Sequence, residues 1–188
     1  MPVRRAADPP AGSSTGSAIA VIALAAMALT GCGALRGRDV GPESRPVDTV
    51  MAPNALVVGV VDGDTIDVDV DGRRERVRLI GIDTPETLKP DTPVECYGPE
   101  ATARAADLLP EATPVRLERD VEPRDAYGRL LAYVYRAADG TFVNLQLVAG
   151  GFARPLPFEP NTAHAGEFAS AAATAQSQSL GLWAACTG

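Results

Sequence analysis

A β-rich α+β domain, a small closed barrel of about five strands with about three helices packed around it, is the fold class this sequence predicts. Three observations carry that expectation. Short segments of strand character recur from Ala55 to Arg136, bounded by turn residues. Asp71-Gly72 is a strong two-residue hairpin signal between two of them. The helical patterns are inserted late, so the helices have a β-core to pack around.

ALVVGVV (55–61) is a strand candidate, DGDT (62–65) a turn, and IDVDV (66–70) alternates strictly. The hairpin at Asp71-Gly72 leads into RRERVRLIGI (73–82), the third antiparallel strand. GPEATARAADLL (98–109) reads as a helix with Pro99 in its first turn. VRLER (115–119) and LLAYVYR (130–136) return to strand. FVNLQLVAGG (142–151) is a short helix stopped by paired glycines, and the alanine-rich run from Ala163 to Leu180 is a longer one ending at Gly181. This succession fits a barrel of the OB type.

The chain has 188 residues, and its first 31 do not read as domain material. MPVRR supplies positive charge, and AIAVIALAAMAL (18–29) is an apolar run of twelve residues. That is short for a membrane span and suits the core of an export signal. The run ends in Leu29-Thr30-Gly31-Cys32, which resembles a bacterial lipoprotein box with Cys32 as the lipidated residue; the alternative is an ordinary secretory signal with a chance cysteine. Residues 32–54 mix Gly, Pro and charge without hydrophobic period and read as a tether. A flexible segment of that length spans about 25 Å. The expected organisation is a signal over 1–31, a lipidated cysteine and tether over 32–54, and a domain over 55–188. The product would be exported and lipid-anchored on the extracytoplasmic face, retained there or shed.

The formal net charge is −7. Such a protein gains no general attraction to nucleic acid or anionic lipid, so any polyanion would need a local basic patch or bound cations. Of the three cysteines, Cys96 and Cys186 remain as a pair if Cys32 carries lipid, and an oxidising compartment favours a bridge. It would be worth about 4 to 5 kcal/mol on the chain-entropy model. The alternative is two unrelated thiols.

Asp62 and Asp64 flank Gly63, and Asp83 stands at the far end of the third strand. Carboxylates gathered from separate loops suit a hard divalent cation such as Ca²⁺, although DGDT alone is also a plain hairpin turn. The single histidine, His164, leaves a softer metal short of ligands and a Ser-His-Asp or Cys-His arrangement without an obvious partner. General-base work then falls to a carboxylate, and Glu86, three residues beyond Asp83, is the candidate. Arg78 and Arg129 would supply forked, permanently charged phosphate ligands. Arg78 and Asp83 are five apart, so a regular strand would point them to opposite faces. They share a site only if the strand bends, and Gly81 is where it can.

VVDGDTIDV, RLIGIDTPET, YGPEA (97–101), DAYGRLLAYVY (125–135), VNLQLVAGGFAR (143–154) and GLW (181–183), in that order, resemble the staphylococcal nuclease family. The resemblance runs from about Leu56 to Trp183. It implies a five-stranded OB-type barrel with three helices and Ca²⁺-dependent hydrolysis of DNA and RNA to 3′-phosphates. It further implies Asp64 and Asp83 as carboxylate ligands of Ca²⁺, Thr84 as a backbone-carbonyl ligand, and Asp62 as an acid supporting them. Glu86 would activate the attacking water, Arg78 and Arg129 would neutralise charge on the phosphorus oxygens, and Tyr127 would lie near a terminal phosphate. The membrane is reached through Cys32, no protein partner is implied, and a monomer is expected.

The chain departs from the family pattern at Ala126, where the family carries lysine, and at Phe158, where a stacking tyrosine is expected. PLPFEP is also one residue shorter than its counterpart. Arg73, Arg74, Arg76, Arg116, Arg119 and Arg124 would form a local basic face if they cluster. The rival reading is a non-catalytic OB-fold nucleic-acid-binding module on the cell envelope. Such a module is expected to lack one of Asp64, Asp83, Arg78, Glu86 or Arg129, and this chain keeps all five.

Overall fold

The computed structural model of the chain describes residues 51–87 and 93–186. The export signal, Cys32 and the tether up to residue 50 lie outside the described residues. The described elements, in chain order, begin with β1 (Ala55–Asp62), β2 (Thr65–Val70), β3 (Arg73–Leu79), β4 (Gly81–Asp83) and α1 (Gly98–Leu108). Then come β5 (Pro114–Glu118), β6 (Leu130–Arg136), α2 (Val143–Ala149), β7 (Arg154–Leu156), α3 (Ala165–Ser177) and α4 (Leu182–Ala185).

Five strands close a barrel in the order β1-β2-β3-β6-β5, and β5 returns to β1. Asp71 and Gly72 both take positive φ, as the two-residue hairpin requires, and this sets the register in which Ile66 faces Val77. Every pairing in the barrel is antiparallel except β3 with β6. That parallel pair needs a crossover, which α1 and β5 provide. Alternate residues Ile66, Val68, Val77, Leu79, Val115 and Val134 fill the interior and are fully buried. The seam between β1 and β5 is short, with only Ala55 opposite Val115 and Leu56 opposite Pro114. Asn54 prolongs it: its side chain donates to the Leu117 carbonyl and accepts from the Leu117 amide. Residues 51–54, placed in the tether on composition, thus already bond to the domain.

The segment 73–82, expected as one strand, is two. It breaks at Ile80, after which β4 leaves the barrel to pair with β7, a strand the hydrophobic pattern does not announce. Gly81 has φ +79°, and a Cβ there would stand 2.5 Å from the Phe168 ring of α3. Only glycine allows both the turn and that approach. Buried Asn144 of α2 stitches the break: its Nδ2 donates to the Ile80 carbonyl and its Oδ1 accepts from the Val134 amide. The predicted helices over 98–109, 142–151 and 163–180 are present but shorter, and the chain adds the one-turn α4.

Cys96 and Cys186 form a disulfide with Cα atoms 5.9 Å apart, closing a separation of 90 residues. His164 precedes α3, with Nδ1 2.8 Å from Glu167 and its ring against Tyr133 and Phe142, which is a packing role.

Candidate functional site

At one rim of the barrel, the DGDT turn, the end of β4 and the loop before β6 open onto a polar cavity of about 230 Å³. Asp62, Asp64, Arg78, Asp83, Thr84, Glu86 and Arg129 all line it. The sequence brings them there by local means. Gly63 lets the turn approach Thr84 so closely that a Cβ would lie 2.6 Å from Thr84 Oγ1. Asp64 can therefore accept from both the Thr84 amide (2.9 Å) and the Thr84 hydroxyl (3.1 Å) through Oδ2. Asp62 Oδ1 accepts from the Asp64 amide at 3.1 Å and so orders the turn.

Arg78 joins the two halves. Its Nη1 donates to the carbonyls of Leu79 (2.6 Å) and Ile82 (2.9 Å), on either side of the break at Gly81. Its Nη2 lies 3.1 Å from Asp64 Oδ2 and 3.2 Å from Asp83 Oδ1. The bend expected at Gly81 thus puts Arg78 and Asp83 on one side. The Arg78 side chain is 15% exposed, so its charge is directed into the cavity rather than dispersed in solvent. Burial pushes the Asp64 carboxyl up to about 6, against the pull of the Arg78 charge and the Thr84 amide, while Asp62 and Asp83 add like-charge repulsion.

Arg129 is set by a residue that motif reading passed over. Asp125 accepts from the amides of Tyr127 and Arg129 and, through Oδ2, from Arg129 Nε at 2.6 Å. Burial opposes the Asp125 charge, but these hydrogen bonds outweigh it and hold the carboxyl below the usual range. The signal was available: an aspartate two residues before and four before the groups it caps is a turn-forming acid. Tyr127 is 87% exposed, with the Arg129 guanidinium 5.6 Å from its ring centre. Glu86 sits on the loop after β4. Its Oε1 accepts from the Thr87 amide at 2.9 Å, and its backbone bonds to Glu95.

Arg78 and Arg129 also line a second, larger cleft of about 510 Å³, whose walls include Ile82, Leu131, Ala126, Tyr127 and Phe158. Two arginines therefore border both an acidic pocket and an apolar one. The basic face expected from the other arginines is offset in part: Arg74 and Arg76 share Asp67, and Arg124 pairs with Glu75. The hydrogen bond from Arg76 does most to hold Asp67 below the usual carboxylate range.

Among the described residues no three Asp, Glu, His or Cys side chains stand close enough to cage a metal by themselves. The donors that line the cavity are oxygens, with no imidazole or thiolate among them. They fit an open site for a hard cation that keeps several waters, not a closed structural one.

Fold and rim define a class: an OB-barrel protein with carboxylates and guanidinium groups converging where a phosphate ester would sit. Residues 76–185 match the family described as Staphylococcal nuclease homologue. The chain is 45% identical over 143 residues to "Thermonuclease" of Staphylococcus intermedius, covering 76% of this chain and 83% of that one. It is 40% identical over 146 residues to "Thermonuclease" of Staphylococcus hyicus, covering 75% and 85%. To "Endonuclease YncB" of Bacillus subtilis (strain 168) it is 40% identical over 132 residues, covering 69% and 61%. The chain belongs to the staphylococcal nuclease family.

Proposed function

We propose that this protein is a Ca²⁺-dependent nuclease that hydrolyses phosphodiester bonds of DNA and RNA to 3′-phosphates outside the cytoplasm. The nuclease activity itself is supported by relatives named thermonuclease and endonuclease. The observation that carries the mechanism is the convergence of Arg78, Arg129 and Glu86 with Asp64 and Asp83 on one cavity.

In this reading the Glu86 carboxylate takes a proton from a water, and the hydroxide attacks phosphorus as the bond to the 5′-oxygen breaks. Arg78 and Arg129 donate hydrogen bonds to the phosphorus oxygens as charge builds there, Arg129 also serving the departing oxygen. Asp64, Asp83 and the Thr84 carbonyl would hold Ca²⁺, with Asp62 ordering the turn behind them. When bound, the cation supplies Lewis-acid stabilisation of a phosphate oxygen. It also offsets the mutual repulsion of Asp62, Asp64 and Asp83. The apolar cleft receives the nucleoside beside the scissile phosphate, with Tyr127 near a terminal phosphate and Phe158 against a base. Ala126 leaves that grip without a lysine.

The test is degradation of single-stranded DNA and of RNA by the full chain, with Ca²⁺ and with excess chelator. Cleavage that is lost on chelation and restored by Ca²⁺ is expected, and Glu86→Gln should cut turnover by orders of magnitude. Undiminished cleavage in chelator removes the metal role; a shifted but intact band removes the enzyme in favour of a binding module. Export and attachment through Cys32 are tested separately: Cys32→Ser should move the protein from the detergent phase to the aqueous phase.

A further inference from the structure

We infer that Glu95, held by the Cys96–Cys186 bridge, is a positioning residue for Glu86; the inference rests on the general-base reading of Glu86. The two acids are joined twice. The Glu95 amide donates to the Glu86 carbonyl at 2.9 Å, and the Glu86 amide donates to Glu95 Oε2 at 3.2 Å. Both polar groups of the Glu86 backbone are thereby fixed by one neighbour, and the departure angle of the Glu86 side chain follows from it. The contact has no slack. At Gly98 a Cβ would stand 3.1 Å from the carbonyls of both Pro85 and Glu86 and 2.7 Å from Thr87 Cγ2. The segment Glu95–Gly98 therefore lies directly against Pro85–Thr87.

Glu95 is exposed and would wander if nothing held it. The next residue, Cys96, is bridged to Cys186 at the end of α4. That helix is itself tied down: the Leu182 amide donates to the Gly151 carbonyl at 2.8 Å, and the Leu182 side chain is buried. The Arg154 guanidinium caps the Trp183 ring at 5.6 Å. On the other side, Tyr97 stacks on Phe152 with ring centres 5.5 Å apart. A base that must meet one water at one phosphorus tolerates little angular error. The bridge and the stack transmit the rigidity of the helical layer to Glu86 through Glu95.

Steady-state kinetics of the full chain on single-stranded DNA tests this. Glu95→Ala should lower kcat about 5- to 10-fold, the scale of one lost hydrogen bond, with KM unchanged and thermal unfolding barely moved. Glu95→Gln keeps an oxygen acceptor and should recover most of that loss. Replacing both Cys96 and Cys186 by Ser should also lower kcat, and adding Glu95→Ala to that variant should cost less than it does in the bridged protein. Equal losses for Ala and Gln, or a change confined to KM, overturn the proposal. So does wild-type kcat in Glu95→Ala when Glu86→Gln is inactive, which leaves the nuclease reading standing. Full activity in Glu86→Gln instead overturns the general-base reading beneath it. If the serine variant does not fold, the Ala and Gln pair still decides.

Discussion

Gly81→Ala perturbs the break in the third strand without touching any charged group. Two costs can be worked out from the structure. Alanine at φ +79° pays about 1–2 kcal/mol for a left-handed backbone. Its Cβ would also lie 2.5 and 2.9 Å from Phe168 Cε2 and Cδ2, and Phe168 is wholly buried with no room to swing aside. Overpacking of that kind costs about 1–3 kcal/mol. The expected loss is about 2–5 kcal/mol, read as a lower midpoint in urea denaturation at unchanged slope. Asp83 lies two residues beyond, and its bond to Arg78 depends on the turn, so kcat should fall by more than KM rises. A loss below about 1 kcal/mol would refute the claim that this glycine is required, and a full loss of stability with wild-type kcat in the remaining folded protein would refute its link to the site.

Three further outcomes are expected. Arg78→Lys keeps the charge but not the fork that reaches two carbonyls and two carboxylates at once; kcat should drop by about 100-fold or more, and single-turnover cleavage measures it. Asn144→Ala orphans the Ile80 carbonyl and the Val134 amide in the interior, so calorimetry should show about 2–5 kcal/mol of destabilisation. Asp125 has its carboxyl held below the usual range, so its stabilising contribution is present above the unfolded value of about 4 and is lost as pH falls through the depressed one. Urea midpoints between pH 6 and 2 should therefore decline less steeply in Asp125→Asn than in the natural chain.

Much of the fold can be read from local chemistry. The Asp71-Gly72 hairpin, the alternation of IDVDV and the alanine-rich third helix each announce themselves, because turn preference and burial act within a few residues. The β4–β7 pair does not. Each strand is three residues long, and Arg154–Leu156 contains Pro155, so its pairing is imposed by the break at Gly81 and not by its own pattern. At the site, Asp64, Arg78 and Asp83 were identifiable as charges at the borders of apolar strands, and Gly81 as the place where they could meet. Asn144 and Asp125 were not singled out, because an asparagine in a helix and an aspartate in a turn have ordinary local explanations. Asn144 matters through Ile80, 64 positions away, whereas Asp125 acts within its own turn, and what gives it weight is that the turn carries Arg129. The arginine-rich third strand misleads in the opposite direction: Arg74 and Arg76 look free in one dimension and share Asp67 of the neighbouring strand, while the same strand's Glu75 takes up Arg124.

The narrow closure between the first and fifth strands sets a limit on trimming. With two facing residue pairs there, Asn54 acts as a clasp that fastens one extra rung. A protease that cuts ahead of Met51 would free the barrel from its leading segment and leave the clasp intact. One that removes Asn54 would start to unzip the cylinder, and the carboxylates at its rim would lose the frame that aims them.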